Sequence, residues 1–313
     1  MTDSTPANMI KRPVMMKTID ANHEGQRIDN FLMAEFRVLP KSRIYQMLRK
    51  GEVRVNKGRI KPTYRLNKGD IVRLPPVLLP KTETVVISEA EKQHILHCVI
   101  EETADFIAIN KASGDAVHAG SEIKAGVIEW LRAAKPECSF LELVHRLDRD
   151  TSGILLIAKN RKTLLTLQQA EIEKHYTLLV KGAIKSSPLR VDLALDTEHR
   201  DAQRERHVTP DPDGKPSTTI FTELRRFSTM SLLDAELITG RTHQIRVHSA
   251  ASGFPIIGDP RYGDTAMNRE AKSYGIDRLF LHASLLKFTL NGADYTISAP
   301  LPKALNTVLS SLK

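Results

Sequence analysis

Apolar residues near the N-terminus recur with a helical period. Ile28, Phe31, Leu32 and Phe36 share one face of the segment from Gln26 to Phe36, which predicts an amphipathic helix. Pro40 breaks it. From Lys41 to Lys50, Ile44, Met47 and Leu48 fall on one face and basic residues on the others, predicting a second helix, and Gly51 is placed to end it. Glu52 to Asn56 then alternates polar and apolar residues, the period of a strand, with a turn at Lys57-Gly58. A second turn at Asn67 to Asp70 leads into a short strand, Ile71 to Leu74. Pro75, Pro76 and Pro80 open an extended stretch, so residues 77–94 are expected to be a linker, and residues 1–17 a flexible tail.

Beyond Ile95 the pattern changes. Short apolar runs predict strands at Asp105 to Lys111, Ile154 to Lys159, Tyr176 to Lys181, Thr218 to Leu224 and Ser231 to Leu237. Helical spacing predicts helices at Gly126 to Ala134 and Lys162 to Lys174. Residues 201–217 are polar and rich in turn formers, the composition of a mobile loop. Strands outnumber helices without a steady strand–helix–strand rhythm. This predicts an α+β fold whose larger part has a mixed or antiparallel central sheet flanked by helices and loops. The expected division is a small module at 18–76 and a larger domain at 95–313.

Charge sharpens this division. The 313-residue chain carries a net charge of +9. Between residues 41 and 73, eleven basic side chains face only Glu52 and Asp70, which leaves that segment alone at +9. The small module is therefore the electrostatic handle, and it favours an anionic partner such as nucleic acid. The chain has no apolar run of about 18 residues and no secretory leader pattern, so a soluble, cytoplasmic protein is expected. Two cysteines, Cys98 and Cys138, are too few for a disulfide framework, and Cys98 with His94 and His97 falls short of a structural zinc set. No metal is expected.

The densest chemistry lies at residues 145–150, where His145, Arg146, Asp148, Arg149 and Asp150 stand beside the apolar run Ile154 to Ala158. Charge packed against a core strand is costly unless it is paired or used. Taken alone, the cluster reads as a salt-bridged turn or as a site. His243 and His248 lack a carboxylate or thiolate at ligand spacing and read as structural or RNA-contacting. Ser152 lacks the glycine-flanked elbow of a hydrolase nucleophile.

The wording HRLDRDTSG at 145–153 resembles the active-site signature of the RluA-type pseudouridine synthases. EKHY at 173–176, TGRTHQIRVH at 239–248, GDPRYG at 258–263 and RLFLHA at 278–283 resemble further segments of that family, in the family's order. The order helix, basic helix, GEVRVNKG, GDIV resembles the αL RNA-binding module. The resemblance implies that Asp148 is the catalytic residue, Arg241 its ionic partner and Tyr176 the ring placed against uracil. It also places Leu281 beneath the pocket and lets Arg146 fill the space left by a flipped-out base. Lys41, Arg43, Arg49, Lys50, Arg54, Lys57, Arg59 and Lys61 of the module are expected to contact RNA phosphates.

The implied reaction is isomerisation of uridine to pseudouridine in bacterial large-subunit (23S) ribosomal RNA. It needs no cofactor, and a monomer is expected. Two other readings stay open at this point: a non-catalytic RNA-binding or ribosome-assembly protein, and an N-glycosidase or nucleoside hydrolase. The hydrolase would normally need a second carboxylate as acid or base.

Overall fold

The computed structural model of the chain describes residues 9–80, 85–120, 123–198 and 208–312. The chain forms two units, Met1–Val86 and Ile87–Lys313. In the first, strands β1 (Met9–Arg12) and β2 (Met15–Thr18) precede helices α1 (Ile28–Glu35) and α2 (Lys41–Lys50). Strands β3 (Arg54–Val55), β4 (Ile71–Leu74) and β5 (Val77–Pro80) follow. The helical periodicity does what it predicts. Ile28, Phe31 and Leu32 of α1 meet Ile44, Met47 and Leu48 of α2 in a core closed by Val53, Val55 and Val72. Gly51, in the left-handed region at φ 69°, ends α2.

Three expectations change here. Residues 9–18 are strands rather than a tail: Met9 to Arg12 pairs antiparallel with Val77 to Pro80, and Met15 to Thr18 with Ile71 to Leu74. Backbone pairing with a neighbouring extended segment orders what composition alone leaves loose. The stretch expected as a linker holds β5 and helix α3 (Glu89–His97), which is opened by a Ser88–Glu91 capping box. The strand expected at Glu52 to Asn56 shrinks to Arg54–Val55 because Asn56 and Lys57 both take positive φ at the turn. The expected tail residues 1–8 and linker residues 81–84 lie outside the described residues.

The second unit is built on one mixed sheet. After α3 come β6 (Val99–Glu102), β7 (Phe106–Lys111), α4 (Val127–Ala134), β8 (Glu142–Leu143), β9 (Ser152–Ala158), α5 (Arg161–Gln169) and β10 (Glu173–Lys181). Then follow β11 (Leu189–Asp192), β12 (Leu195–Asp196), β13 (Thr209–Pro210), β14 (Thr218–Arg226) and β15 (Met230–Leu237). The chain ends with α6 (Gln244–Ala251), α7 (Thr265–Ala271), β16 (Leu281–Leu290), β17 (Ala293–Ser298) and α8 (Lys303–Ser311). The sheet order is β11-β14-β15-β10-β16-β9-β7-β6, with β17 paired to β16 and β8 to β9. The β16–β9 pair is parallel and its neighbours are antiparallel.

Every residue of β9 is buried. Leu155 and Ile157 enter one core, and Ile154, Leu156 and Ala158 the other, on the opposite face of the sheet. Burial on both faces explains why this strand reads as an unbroken apolar run. At its start Gly153 has φ +112°, and a Cβ there would lie 2.2 Å from the Ala283 carbonyl oxygen. Glycine is therefore what lets β9 and β16 meet directly after the charged loop.

The helix expected to run to Lys174 stops at Gln169. Glu173, Lys174 and His175 belong to β10 instead, where they pair with Lys287, Leu286 and Leu285 of β16. Cross-strand partners override the local helical spacing: His175 contacts Asp234, and Lys287 contacts Glu173. The expected mobile loop overlaps residues 199–207, which lie outside the described residues. Beyond them, Thr209–Pro210 pairs with Leu195–Asp196. Among the described residues no helix is long and apolar enough to cross a membrane.

Candidate active site

The charged loop 145–151 is pinned to the turn after β7. Lys111, fully buried, points its ammonium at three carbonyl oxygens: Ala112 at 2.7 Å, Asp115 at 2.9 Å and Arg149 at 2.9 Å. The Gly114 N–H also donates to the Arg149 carbonyl (2.9 Å), and the Ser113 hydroxyl to the Asp150 carbonyl (2.7 Å). Burial pulls the Lys111 ammonium down to about 8, with the neighbouring Asp115 charge opposing it. The Thr151 N–H closes the loop on the Asp148 carbonyl (3.2 Å). His145 is inert here. Its Nε2 accepts the Leu156 N–H at 3.3 Å, and burial holds it neutral, at about 4.

A cavity of about 110 Å³ opens beside this loop. Arg146, Asp148, Tyr176, Arg241, His243, Arg246 and Leu281 all line it. Asp148 keeps 24% of its side chain exposed, while Arg246 beside it is nearly buried at 5%. One oxygen of Asp148, Oδ2, faces two neighbours: the Arg246 guanidinium, Nη1 at 3.5 Å, and the His243 ring, Nε2 at 3.7 Å. Tyr176, at the cavity wall, is 6% exposed. Burial and the Asp148 charge push its phenol well above the ordinary tyrosine value. Leu281, the first residue of β16, is buried against the cavity, and Arg146 is exposed at its mouth without an ion pair among the described residues.

One expected pairing is corrected. Arg241 does not pair with Asp148; its side chain is exposed, and its Nε donates to the Pro216 carbonyl at 3.4 Å. The partner is Arg246, five residues on. The reason is the turn before α6. Gln244 holds it together, accepting from the Thr239 hydroxyl (2.8 Å) and the Arg241 N–H (3.0 Å) and donating to the Thr218 carbonyl (2.9 Å). His243 takes a left-handed conformation, φ 54°, and α6 starts at Gln244. Arg241 thus stays on the turn, while Arg246 enters the first helical turn and points inward.

Arg246 is held by Asp259. The guanidinium donates twice, Nε to Oδ2 and Nη2 to Oδ1, both at 2.8 Å, a bidentate geometry. Burial alone would raise the Asp259 carboxyl, but Arg246 and the N–H groups of Arg261 and Tyr262 outweigh it and hold it below the ordinary value. The Tyr262 ring lies 5.1 Å from the guanidinium carbon. Sequence reasoning read His243 only as structural or RNA-contacting and assigned nothing to Arg246, Asp259 or Tyr262. The available signal was the second arginine of RTHQIR together with the acid and aromatic of GDPRYG.

In the first unit six of the basic residues expected to contact RNA, Lys41, Arg49, Lys50, Lys57, Arg59 and Lys61, are exposed and make no ion pair among the described residues. Arg43 pairs with Glu52 at 2.8 Å, and Arg54 donates to the Gly51 and Lys57 carbonyls.

Comparison with known proteins agrees with this architecture. Residues 26–72 match the S4 domain, and residues 105–251 match the family described as RNA pseudouridylate synthase. The chain is 46% identical over 308 residues to ribosomal large subunit pseudouridine synthase C of Yersinia pestis, covering 96% of each chain. It is 44% identical over 310 residues to the protein of that name from Escherichia coli (strain K12), covering 96% of this chain and 97% of the relative. The solved structure of human RNA pseudouridylate synthase domain containing 4 superposes with a TM-score of 0.59 at 20% identity, over 72% of this chain and 97% of that one, a likeness of fold. With 46% identity over nearly the full length of an enzyme of this kind, the chain belongs to the RNA pseudouridylate synthase family, with an S4 domain ahead of its catalytic domain.

Proposed function

We propose that this protein converts specific uridines of bacterial large-subunit ribosomal RNA to pseudouridine in the cytoplasm, as a monomer without metal or organic cofactor, and that Asp148 is its catalytic residue. The observation that carries the reading is a part-exposed carboxylate in a small cavity with one oxygen facing a buried guanidinium. The names of the relatives support the substrate class.

Isomerisation breaks the N1–C1′ bond, turns the base and rejoins it through C5. A carboxylate at C1′ serves this in one of two ways. It adds to C1′ as the base leaves, as in retaining glycosidases, or it removes the C2′ proton to give a glycal. Both routes use the carboxylate as an anion, and the Arg246 guanidinium stands 3.5 Å from it. Tyr176 supplies a ring face for the uracil and a neutral hydroxyl, since burial keeps the phenol protonated. Leu281 forms the floor. Arg146, exposed at the mouth, fills the stack that the flipped uridine leaves. The free cations of the first unit hold the RNA by its phosphates, which positions it without reading sequence.

Tritium release from C5-labelled uridine in ribosomal RNA tests this, with RNA taken from cells lacking the enzyme. The wild-type protein should release tritium and Asp148→Asn should not, while both bind RNA equally. Free uracil as product, or equal release by both proteins, would refute the assignment.

A further inference from the structure

The basic helix α2 carries one exposed aromatic ring. Tyr45 is 40% exposed, yet its hydroxyl is tied down, donating to Asp29 Oδ2 at 3.1 Å. Asp29, in the first turn of α1, is 1% exposed. It also accepts the Arg27 guanidinium on both oxygens, Nη2 on Oδ2 at 2.6 Å and Nε on Oδ1 at 3.1 Å. The Arg27 side chain is itself 40% exposed. One buried carboxylate therefore holds a phenol ring and a guanidinium plane side by side at the surface, both bonded to the same oxygen.

We propose that Tyr45, braced by Asp29 and flanked by Arg27, Lys41 and Arg49, is a stacking platform for an unpaired base of the RNA substrate. The inference rests on the function proposed above and deepens it, because it gives the S4 unit a contact to bases as well as to phosphates.

The first support is the way the ring is anchored. Its root is in α2 and its tip is bonded to α1, so the exposure that remains lies along the flanks of the ring, where a base stacks. A side chain held at both ends has little freedom left to lose on binding. The bond to Asp29 also raises the phenol, which keeps it a neutral donor. Packing does not account for the ring, since Ile44, Met47 and Leu48 of α2 build the core and Tyr45 is outside it. The other described aromatic rings of this unit are used inside it. Phe31 and Phe36 are buried, and Tyr64 is half-buried with its hydroxyl on Asp70.

The second support is the placement of charge. Lys41 and Arg49 lie four residues before and four after Tyr45, on the same ridge of the helix. Both are exposed and make no ion pair among the described residues. A base on the ring thus has cations on either side for the phosphates of its own strand. Aromatic faces for bases combined with cations for the backbone is how single-stranded nucleic acid is held. Phosphates are present in paired and unpaired RNA alike, whereas an aromatic face takes a base that has left its stack. The platform therefore makes the S4 unit prefer unpaired segments without reading their sequence.

The test measures binding of the full-length protein to two probes, a single-stranded oligouridylate and the duplex that it forms with oligoadenylate. Tyr45→Ala should weaken single-strand binding about 5- to 150-fold, the worth of one stacked base, and change duplex binding little. No charge is removed, so the slope of log K against log salt should match the wild type. Arg49→Ala, by contrast, should lower that slope by about 0.7. Tyr45→Phe keeps the ring and should lose less than Tyr45→Ala. Tyr45→Trp should keep single-strand binding and acquire a fluorescence that the oligouridylate quenches and the duplex does not. The wild type, whose only tryptophan is Trp130, is the control. Melting curves show whether each variant is folded, and if Tyr45→Ala is not, the quenching in Tyr45→Trp decides. Equal losses on the two probes, a changed slope for Tyr45→Ala, or no selective quenching overturns the proposal. If the wild type binds oligouridylate but releases no tritium from ribosomal RNA, the proposed function fails and the stacking assignment is still decided by these probes.

Discussion

The two units handle charge in opposite ways. In the S4 unit two carboxylates, Asp29 and Asp70, are inside and most of the cations are outside. Asp29 is 1% and Asp70 6% exposed. Asp70 accepts from Asn56, Tyr64 and the Asn67 N–H, and Asp29 from Arg27 and Tyr45. In the catalytic unit two cations, Lys111 and Arg246, are inside: Lys111 holds the Ala112, Asp115 and Arg149 carbonyls, and Arg246 faces a carboxylate left open to a cavity. Exposed cations give long-range attraction that salt screens and that any polyanion satisfies. Buried cations act at short range in a low dielectric, and they serve one group whose charge matters to chemistry. The first unit is thus suited to holding RNA and the second to acting on one nucleotide.

The sharpest way to break this comparison is Arg246→Ala. It leaves Asp259, 1% exposed, without its partner, which should cost about 3–5 kcal/mol of stability in the catalytic unit. It should also lower single-turnover rates by about 100- to 1000-fold by stripping the donor from Asp148. Arg246→Lys should restore little, because an ammonium cannot reproduce the two parallel bonds. Arg241→Ala should keep the fold. Urea melts and single-turnover kinetics measure all three, and a stable, active Arg246→Ala would refute the assigned pairing.

A second test uses acid. Burial holds His145 and His282 neutral in the folded protein, each at about 4 against an ordinary 6.5. The unfolded chain therefore binds more protons than the folded one between those values. The contribution is full above about pH 6.5 and is lost as pH falls to about 4, roughly 3 kcal/mol for each residue. In the S4 unit the relevant groups are Asp29 and Asp70. Arg27 lowers Asp29, and at Asp70 burial is outweighed by hydrogen bonds, so both lie below the ordinary carboxylate range. Their stabilisation persists above the ordinary carboxylate value and is lost only below it. The single tryptophan, Trp130, lies in the catalytic unit. Its fluorescence in denaturant should report falling stability from about pH 6.5 downward, while the S4 unit holds to lower pH. A flat Trp130 profile from pH 7 to 5 would contradict this.

The smallest effect concerns the exposed cations. Neutralising Lys41, Arg49, Lys50 and Arg59 together should weaken RNA binding and flatten the salt dependence of log K by about 0.7–0.9 for each charge in contact with a phosphate. The rate at saturating RNA and the melting temperature should not change. A fall in kcat without a change in affinity would show that these residues do more than hold the substrate.

Much of this was legible in the chain. Periodicity located α1 and α2, because a two-helix core needs Ile28, Phe31, Leu32, Ile44, Met47 and Leu48 on facing stripes whatever else surrounds them. The apolar run after the charged loop located β9, because a strand buried on both faces has no polar positions to interrupt it. The wording around Asp148 identified the family, and the concentration of charge in 41–73 identified the RNA-facing unit. Less legible were the segments whose order comes from distant partners. Residues 9–18 became strands only by pairing with β4 and β5, and Glu173 to His175 became strand rather than helix only by pairing across β15 and β16.

The chain by itself determined that a carboxylate at 148 would stand beside a buried strand, with arginines available from the segment 239–248. It did not determine which arginine would reach it. Arg241 and Arg246 are equally cationic, and their spacing is ambiguous until the backbone between them is known. Only the tertiary structure decided. The Gln244 bonds to the Thr239 hydroxyl and the Thr218 carbonyl fix where the turn ends and α6 begins, and Asp259 draws Arg246 into the core. Local composition specifies which charges are present, but contacts between residues far apart in the chain select the one that is desolvated, and a desolvated charge interacts far more strongly than one left in water.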